Sequence, residues 1–428
     1  MKTILKLSVV FILLFCACFT YTPPPKIHVY YDPATSPALL QMVDFIHQDE
    51  QDIKFIFWKR FDQYIKNKEK YPNTYFINNW DLFFKKLQEI SKANPKSKII
   101  LHHNLHHDYF FNHFIEVFPE NKILESHAYE DASNYMWWSQ RKDYIFFNYP
   151  KINHKLHMWG DIKKLCSTKD PHPQCERIKK LDDLIKIIPV DFYALKNNLA
   201  PDDLEKIAVL AGVDLKKYQK LLKGKKTGIY LLGFIAGTNL ESFQLVALKD
   251  LCKAYKDTTW FYKPHPSYIK TPTHKVLNHL CPNIKKLDHQ LPFEFLILAD
   301  LAPQYVAGIG SSTFANLNPE NILFYIQRGS TDTYINTLKK AEILPKNGKV
   351  ITPEQSIKKI MKLNMFFVNT SGWFIKIDNE YCKMMQNECY TIVDDTPTTK
   401  TFKNNKNQLV KTKHIESYNW SQFELINE

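Results

Sequence analysis

Apolar and polar positions along this chain switch repeatedly between two periods. Short runs rich in β-branched and aromatic residues alternate with longer stretches of helical spacing. Residues 27–31 read as a buried strand. Asp32-Pro33-Ala34-Thr35-Ser36-Pro37 follows, with Ser36 as an N-cap and Pro37 at the first helical position, so a helix is predicted over 38–47. Further strands are predicted near 53–58, 74–77, 97–102 and 122–126, and helices over 80–92 and 110–118. The next stretch is less regular; residues 187–195 read as a strand and a connection, and 201–222 as helices with capped turns. The pattern then restarts, with strands at 227–232, 258–262, 283–287 and 304–307 and helices at 240–255 and 292–300. Strands alternating with helices predict parallel sheets covered on both faces, with ligands at the carboxyl ends of the strands. Residues 373–428 instead alternate apolar and polar positions, which predicts a small β-meander.

The division expected from this pattern has five parts: a signal or anchor segment (1–25), a first lobe (26–195), a linker (196–224), a second lobe (225–365) and a β-rich extension (366–428). The first of these rests on Lys2 and Lys6, the apolar run over 7–19 and the stop at Pro23-Pro24-Pro25. It predicts membrane association, with the side of the membrane left open. The 428 residues suffice for two cores of ordinary size. Lys+Arg total 57 against 44 Asp+Glu, a net charge of +13 that favours anionic partners. No zinc-finger spacing, Walker loop or Arg-rich stretch accompanies it, so nucleic acid is not an expected partner. Part of the excess lies in Lys400, Lys403, Lys406, Lys411 and Lys413. Cys166/Cys175 and Cys382/Cys389 are each spaced to close a small disulfide in an oxidising compartment, while Cys252 and Cys281 read as helical core residues.

Four loops carry candidate chemistry. His102-His103-Asn104-Leu105-His106-His107-Asp108 holds four histidines, but its spacing selects no ligand face and no fixed carboxylate. Substrate hydrogen bonding suits it better than a metal, with His107 best placed. Glu130 and Asp131 follow a strand, where a carboxylate can cap a helix or take a proton from a substrate hydroxyl. Lys263-Pro264-His265-Pro266 is expected just past a strand end. Its two prolines hold the backbone extended and present a cation and an imidazole to a phosphate. Gly308-Ile309-Gly310-Ser311-Ser312-Thr313 reads as a strand entering a turn whose hydroxyls and N–H groups suit a phosphate, or serve as a plain N-cap.

Taken in order, these motifs resemble those of the bacterial sialyltransferases of glycosyltransferase family 80. The opening over 27–46 is similar to that family's first strand, loop and helix. Tyr129-Glu130-Asp131-Ala132-Ser133 resembles its Tyr-Asp-Asp-Gly-Ser motif, and Lys263-Pro264-His265-Pro266 its Lys-Gly-His-Pro motif. Pro292-Phe293-Glu294 and Gly310-Ser311-Ser312 match its nucleotide contacts, and the agreement runs over about residues 26–365. The resemblance implies an α/β fold of GT-B type: two Rossmann-like lobes with a deep cleft between them. It implies metal-independent, inverting transfer of sialic acid from CMP-sialic acid to a galactoside, with no cofactor. Asp131 would deprotonate the acceptor, and His265 would stabilise or protonate the departing phosphate. Lys263, Pro266, Phe293, Glu294, Ser311 and Ser312 would hold the donor, and His107 the acceptor. The expected linkage is α-2,3, on a galactose-terminated glycan or lipooligosaccharide.

The sequence departs from the family pattern in places. Glu130 and Ala132 replace an Asp and a Gly, and Pro264 replaces a Gly. The family's acceptor-stacking Trp has no clear equivalent in 234–239. Two other readings stay open on the residues alone: a different GT-B glycosyltransferase, and a two-lobed solute-binding protein without catalysis.

Overall fold

A computed structural model describes residues 23–33, 36–130, 144–159, 179–181, 183–232, 240–265, 272–309, 312–326, 349–351, 365–368, 372–378, 380–383, 388–395, 399–404 and 409–413. Three sheets organise them. The first is parallel and has the order β3-β2-β1-β4-β5-β6-β7. Its strands are β1 (Ile27–Asp32), β2 (Ile53–Trp58), β3 (Thr74–Phe76), β4 (Ile99–Asn104), β5 (Ile123–Tyr129), β6 (Asn153–Trp159) and β7 (Lys186–Val190). Pro189 lies in β7, which as an edge strand can do without one N–H.

The second parallel sheet has the order β10-β9-β8-β11-β12-β13. Its strands are β8 (Thr227–Leu232), β9 (Thr259–Pro264), β10 (Lys285–Lys286), β11 (Tyr305–Ile309), β12 (Ile322–Ile326) and β13 (Lys349–Ile351). In both sheets the first strand lies inside, and the chain moves outward in one direction and then in the other. The crevice where the direction reverses falls between β1 and β4 in one sheet and between β8 and β11 in the other, and such crevices bind ligands at the strands' carboxyl ends.

Residues two apart on a strand share a face, and the second sheet uses both faces. Ile229, Leu231, Phe261 and Val306 belong to a core continuous with that of the first sheet. Tyr230, Leu232, Trp260, Tyr262, Ala307 and Phe324 form a separate core on the other side. Helices Phe192–Asn198, Pro201–Leu210 and Leu215–Leu222 connect the two sheets in sequence and add Phe192, Ile207, Leu210, Tyr218 and Leu222 to the shared core. Helix Phe192–Asn198 packs on helix Phe293–Leu298 of the second half, and Lys196 pairs with Asp300 at 2.9 Å.

The third sheet is the expected meander, β14 (Met365–Val368) to β19 (Leu409–Lys413), antiparallel and in sequence order. Ile377 and Cys382 from its strands Gly372–Ile377 and Glu380–Lys383 enter the outer core of the second sheet. Lys275 on helix His274–Leu280 pairs with Glu380 at 3.1 Å. The extension therefore packs on the second lobe's outer face.

Cys382 and Cys389 are joined, as their spacing predicts. Cys281 lies in the core of the second lobe with Cys252 packed against it, and the two also form a disulfide across 29 residues that the sequence reading did not anticipate. Helix Leu240–Ala254 and the C-terminal cap of helix His274–Leu280 lie side by side, and only that packing makes the two sulfurs neighbours. Cys166 and Cys175 lie outside the described residues.

Candidate functional site

The second sheet gathers most of the predicted residues at its carboxyl edge. Strand β9 does not stop before Lys263, as the sequence suggested. Leu231 and Leu232 of β8 pair with Lys263 and Pro264, so both belong to the strand. A proline is tolerated there because it is the last residue of the ladder. Lys263 is consequently buried (5% exposed) rather than presented from a loop. Burial pulls its ammonium down to about 8, against the carboxylates of Glu294 and Asp288, which hold it up. His265 comes next, half-buried, as the chain leaves the sheet.

Helix Phe293–Leu298 supplies Phe293 and Glu294 in its first turn, both buried. Pro292 occupies the N-cap with extended backbone, which starts the helix abruptly. Thr313 donates to Glu294 Oε1 at 3.2 Å from the tight turn Ser312–Asn316 that follows β11. Thr313 belongs to the expected hydroxyl-bearing turn, but its bond to Glu294 joins residues too far apart in sequence to be read there. β11 pairs with β8 through a glycine in a left-handed conformation. Gly308 has φ +134°, and a Cβ there would sit 2.2 Å from the Leu231 carbonyl oxygen. Only glycine fits that approach. The structure thus brings Lys263 and His265 at the end of β9, Phe293 and Glu294 on their helix, and the turn at Ser312 after β11 to one edge of the sheet. Pro266, Ser311 and the side chain of Ser312 lie outside the described residues.

The first sheet contributes a different set. His107 ends the short turn Leu105–His107 after β4 and directly precedes helix Asp108–Val117; its ring is 5.7 Å from that of Tyr109. It is half-buried. At the β1/β4 crevice itself sit two residues that sequence reading gave no role. Asn104 Nδ2 donates to Asp32 Oδ1 at 3.1 Å, and both side chains are fully buried. Asp32 and Asn104 end the two strands that flank the crevice, at the carboxyl edge where open α/β sheets bind ligands. Glu130 is buried at the end of β5, its N–H donating to the His157 carbonyl at 3.1 Å. Asp131 lies outside the described residues.

The histidine-rich loop is corrected in part. His102 and His103 are not loop residues but fully buried members of β4, pointing to opposite faces. His103 bonds Ser126 Oγ at 3.1 Å, and burial pushes it down to about 3. His102 joins a ladder of neighbouring rings across four strands, most of them stacked. Tyr30 and His102 lie 4.2 Å apart, His102 and His127 4.7 Å, His127 and His157 5.3 Å, and Tyr129 and His157 4.3 Å. Burial lowers the pKa of each of these histidines. Only His106 and His107 are left to the loop.

Known proteins resemble this architecture more than this sequence. No family model matches the chain, and no curated protein matches it. Among solved structures, the α/β-galactoside α-2,3-sialyltransferase of Photobacterium phosphoreum superposes with a TM-score of 0.63 at 21% identity, covering 79% of this chain and 99% of that one. The GT-B domain of a sialyltransferase from Photobacterium damselae gives 0.57 at 16% identity, over 76% of this chain and all of that one. The fold is GT-B. A third structure, the 2,6-sialyltransferase of Photobacterium sp. JT-ISH-224 in complex with CMP and lactose, gives 0.57 at 18% identity over 77% of this chain and 78% of that one. These likenesses carry the two-lobed GT-B fold and agree with the family that the ordered motifs resemble.

Proposed function

We propose that this chain is a sialyltransferase that moves sialic acid from CMP-sialic acid to a terminal galactoside. The observation that carries the reading is the convergence of Lys263, His265, Glu294 and the Ser312 turn at the carboxyl edge of the second sheet, astride its β8/β11 crevice. An ammonium, an imidazole and a hydroxyl-bearing turn suit a nucleotide phosphate. A buried carboxylate such as Glu294 suits a ribose hydroxyl. In the proposed step, the acceptor oxygen bonds to the anomeric carbon while the bond from that carbon to the phosphate oxygen breaks. Asp131 takes the acceptor's proton, and His265 gives a proton to, or stabilises, the departing CMP phosphate. His107 contacts the acceptor. Charge on the leaving group is met by protein donors, so no metal is required.

The linkage we propose is α-2,3, on a galactose-terminated glycan or lipooligosaccharide. We further propose membrane association through the N-terminal segment. Among the described residues no helix is long and apolar enough to cross a membrane. The disulfides Cys252–Cys281 and Cys382–Cys389 favour an oxidising compartment for the lobes. Protease digestion of the lobes in intact spheroplasts is the expected result; full protection there would overturn it.

The deciding assay is CMP release from CMP-sialic acid with and without lactose. Lactose-dependent release should fall by about 100-fold or more in Asp131→Asn and in His265→Ala. Release indifferent to lactose would indicate a donor hydrolase. A folded chain that binds no CMP would overturn the reading in favour of a non-catalytic solute-binding protein.

A further inference from the structure

The first sheet holds a cluster that the proposed transfer does not use. His28 on β1, His102 on β4 and Asp44 on helix Ser36–Phe45 each offer one ligand atom, and the three atoms lie within 4.8 Å of one another. We propose that His28, His102 and Asp44 supply three ligands of a site for one zinc-class divalent cation, with a water entering beside Asp44 as the fourth.

The geometry supports this atom by atom. His28 Nδ1 and His102 Nε2 face each other at 3.2 Å. Two imidazole nitrogens on a tetrahedral zinc ion, each at about 2.0–2.1 Å from it, are separated by about 3.3–3.4 Å. The separation of the two nitrogens therefore already suits an ion in place of the shared proton, with the rings turning so that both lone pairs meet at it. The remaining nitrogens are already provided for. His28 Nε2 lies 3.3 Å from Asp52 Oδ2, and His102 Nδ1 lies 3.3 Å from the Tyr129 hydroxyl. With the metal on the inner nitrogens, each outer N–H has an acceptor, which is the arrangement that orients histidine ligands in metal sites. The Tyr30 hydroxyl donates to Asp44 Oδ2 at 2.7 Å, and that oxygen lies 3.5 Å from His102 Nδ1, so the Asp44 carboxylate turns toward the inner nitrogens to become the third ligand.

Charge and access also fit. Two carboxylates, Asp44 as ligand and Asp52 behind His28, balance a dication that would otherwise be unmatched in a buried site. Two imidazoles and one carboxylate select zinc-like ions over calcium or magnesium, which prefer oxygen donors. The His28 and His102 side chains are 2% and 1% exposed, whereas Asp44 is 28% exposed and provides the entry path. The ion would tie the first helix to the two innermost strands of the sheet, β1 and β4, whose carboxyl ends carry Asp32 and Asn104.

The same atoms can close a metal-free chain of hydrogen bonds from Asp52 through His28 and His102 to Tyr129, and the experiment separates the two states. The full chain is stripped with chelator, dialysed and titrated with Co2+ and then Zn2+. One equivalent of Co2+ with tetrahedral visible bands, displaced by Zn2+, is expected. Asp44→Asn and Asp52→Asn should each weaken uptake by at least about tenfold, and His28→Gln should abolish it. Asp44 is partly exposed, so Asp44→Asn remains decisive if the His28 variant does not fold. A folded wild-type chain that takes up no equivalent overturns the site. So does uptake that Asp44→Asn and Asp52→Asn leave unchanged.

Discussion

The two parallel sheets share a strand order and differ in what fills them. The first spends one face on a ladder of histidine and tyrosine rings, with Asp44, Asp52 and Glu125 at its margins. The second fills both faces with aliphatic and aromatic side chains, and its buried charges Lys263 and Glu294 sit at the carboxyl edge. Topology sets where a ligand can bind, because both sheets open a crevice at the same place. Composition of the strands sets what each sheet tolerates. A polar interior depends on protonation state; a packed apolar one depends on steric fit and on its cross-links.

The comparison can be broken most severely at Gly308. Gly308→Ala forces a Cβ against the Leu231 backbone at positive φ. We expect a loss on the order of 4 kcal/mol or more, read by urea unfolding, from the second sheet. A near-neutral result would mean that β8 and β11 can separate without cost. Next in size is reduction of Cys252–Cys281, whose 29-residue separation gives about 3–4 kcal/mol, with about 2 kcal/mol for Cys382–Cys389 at a separation of 7. Reductant should lower the unfolding temperature of the second half and leave unchanged tryptophan signals assigned to the first.

Acid should do the reverse. Burial holds His154 at about 4 and His157 at about 3, below the unfolded value of about 6.5. The unfolded chain therefore binds more protons in this range. This contribution is fully present above pH 6.5 and is lost as pH falls toward 4 and then 3. For His154, 3% exposed, it is on the order of 3 kcal/mol. His154 donates Nε2–H to the Tyr149 carbonyl, so His154→Gln keeps a donor while removing the titration. It should flatten the slope of stability against pH between 6.5 and 4; an unchanged slope would remove His154 as a cause. The smallest effect is expected where the halves meet. Lys196→Ala breaks a pair whose Asp300 is 80% exposed and should cost under about 1 kcal/mol by denaturant midpoint. A larger loss would mean the ion pair fixes how helix Phe192–Asn198 seats on helix Phe293–Leu298.

Much of the architecture was legible because its signals are local. Asn79 accepts from Leu82 N–H to cap helix Trp80–Ala93, and the period of that helix is plain in sequence. The irregular stretch before residue 190 hid strand β6, whose His154, His157 and Lys155 mask the usual apolar run. At the candidate site, ordered motifs pointed to Lys263, Glu294 and the serine turn, but not to the depth of Lys263. Its burial follows from a register with β8 that no local pattern encodes.

By itself the sequence determined the alternation of strands and helices, the meander and the chemical types in each loop. These depend on residues a few positions apart. Only the tertiary structure decided that Cys252 meets Cys281, that Thr313 joins Glu294, and that His28, His102, His127 and His157 form one ladder. Those contacts arise when sheet order and register bring distant same-face positions together. That pairing is set by how whole strands and helices pack, not by any short stretch of chain.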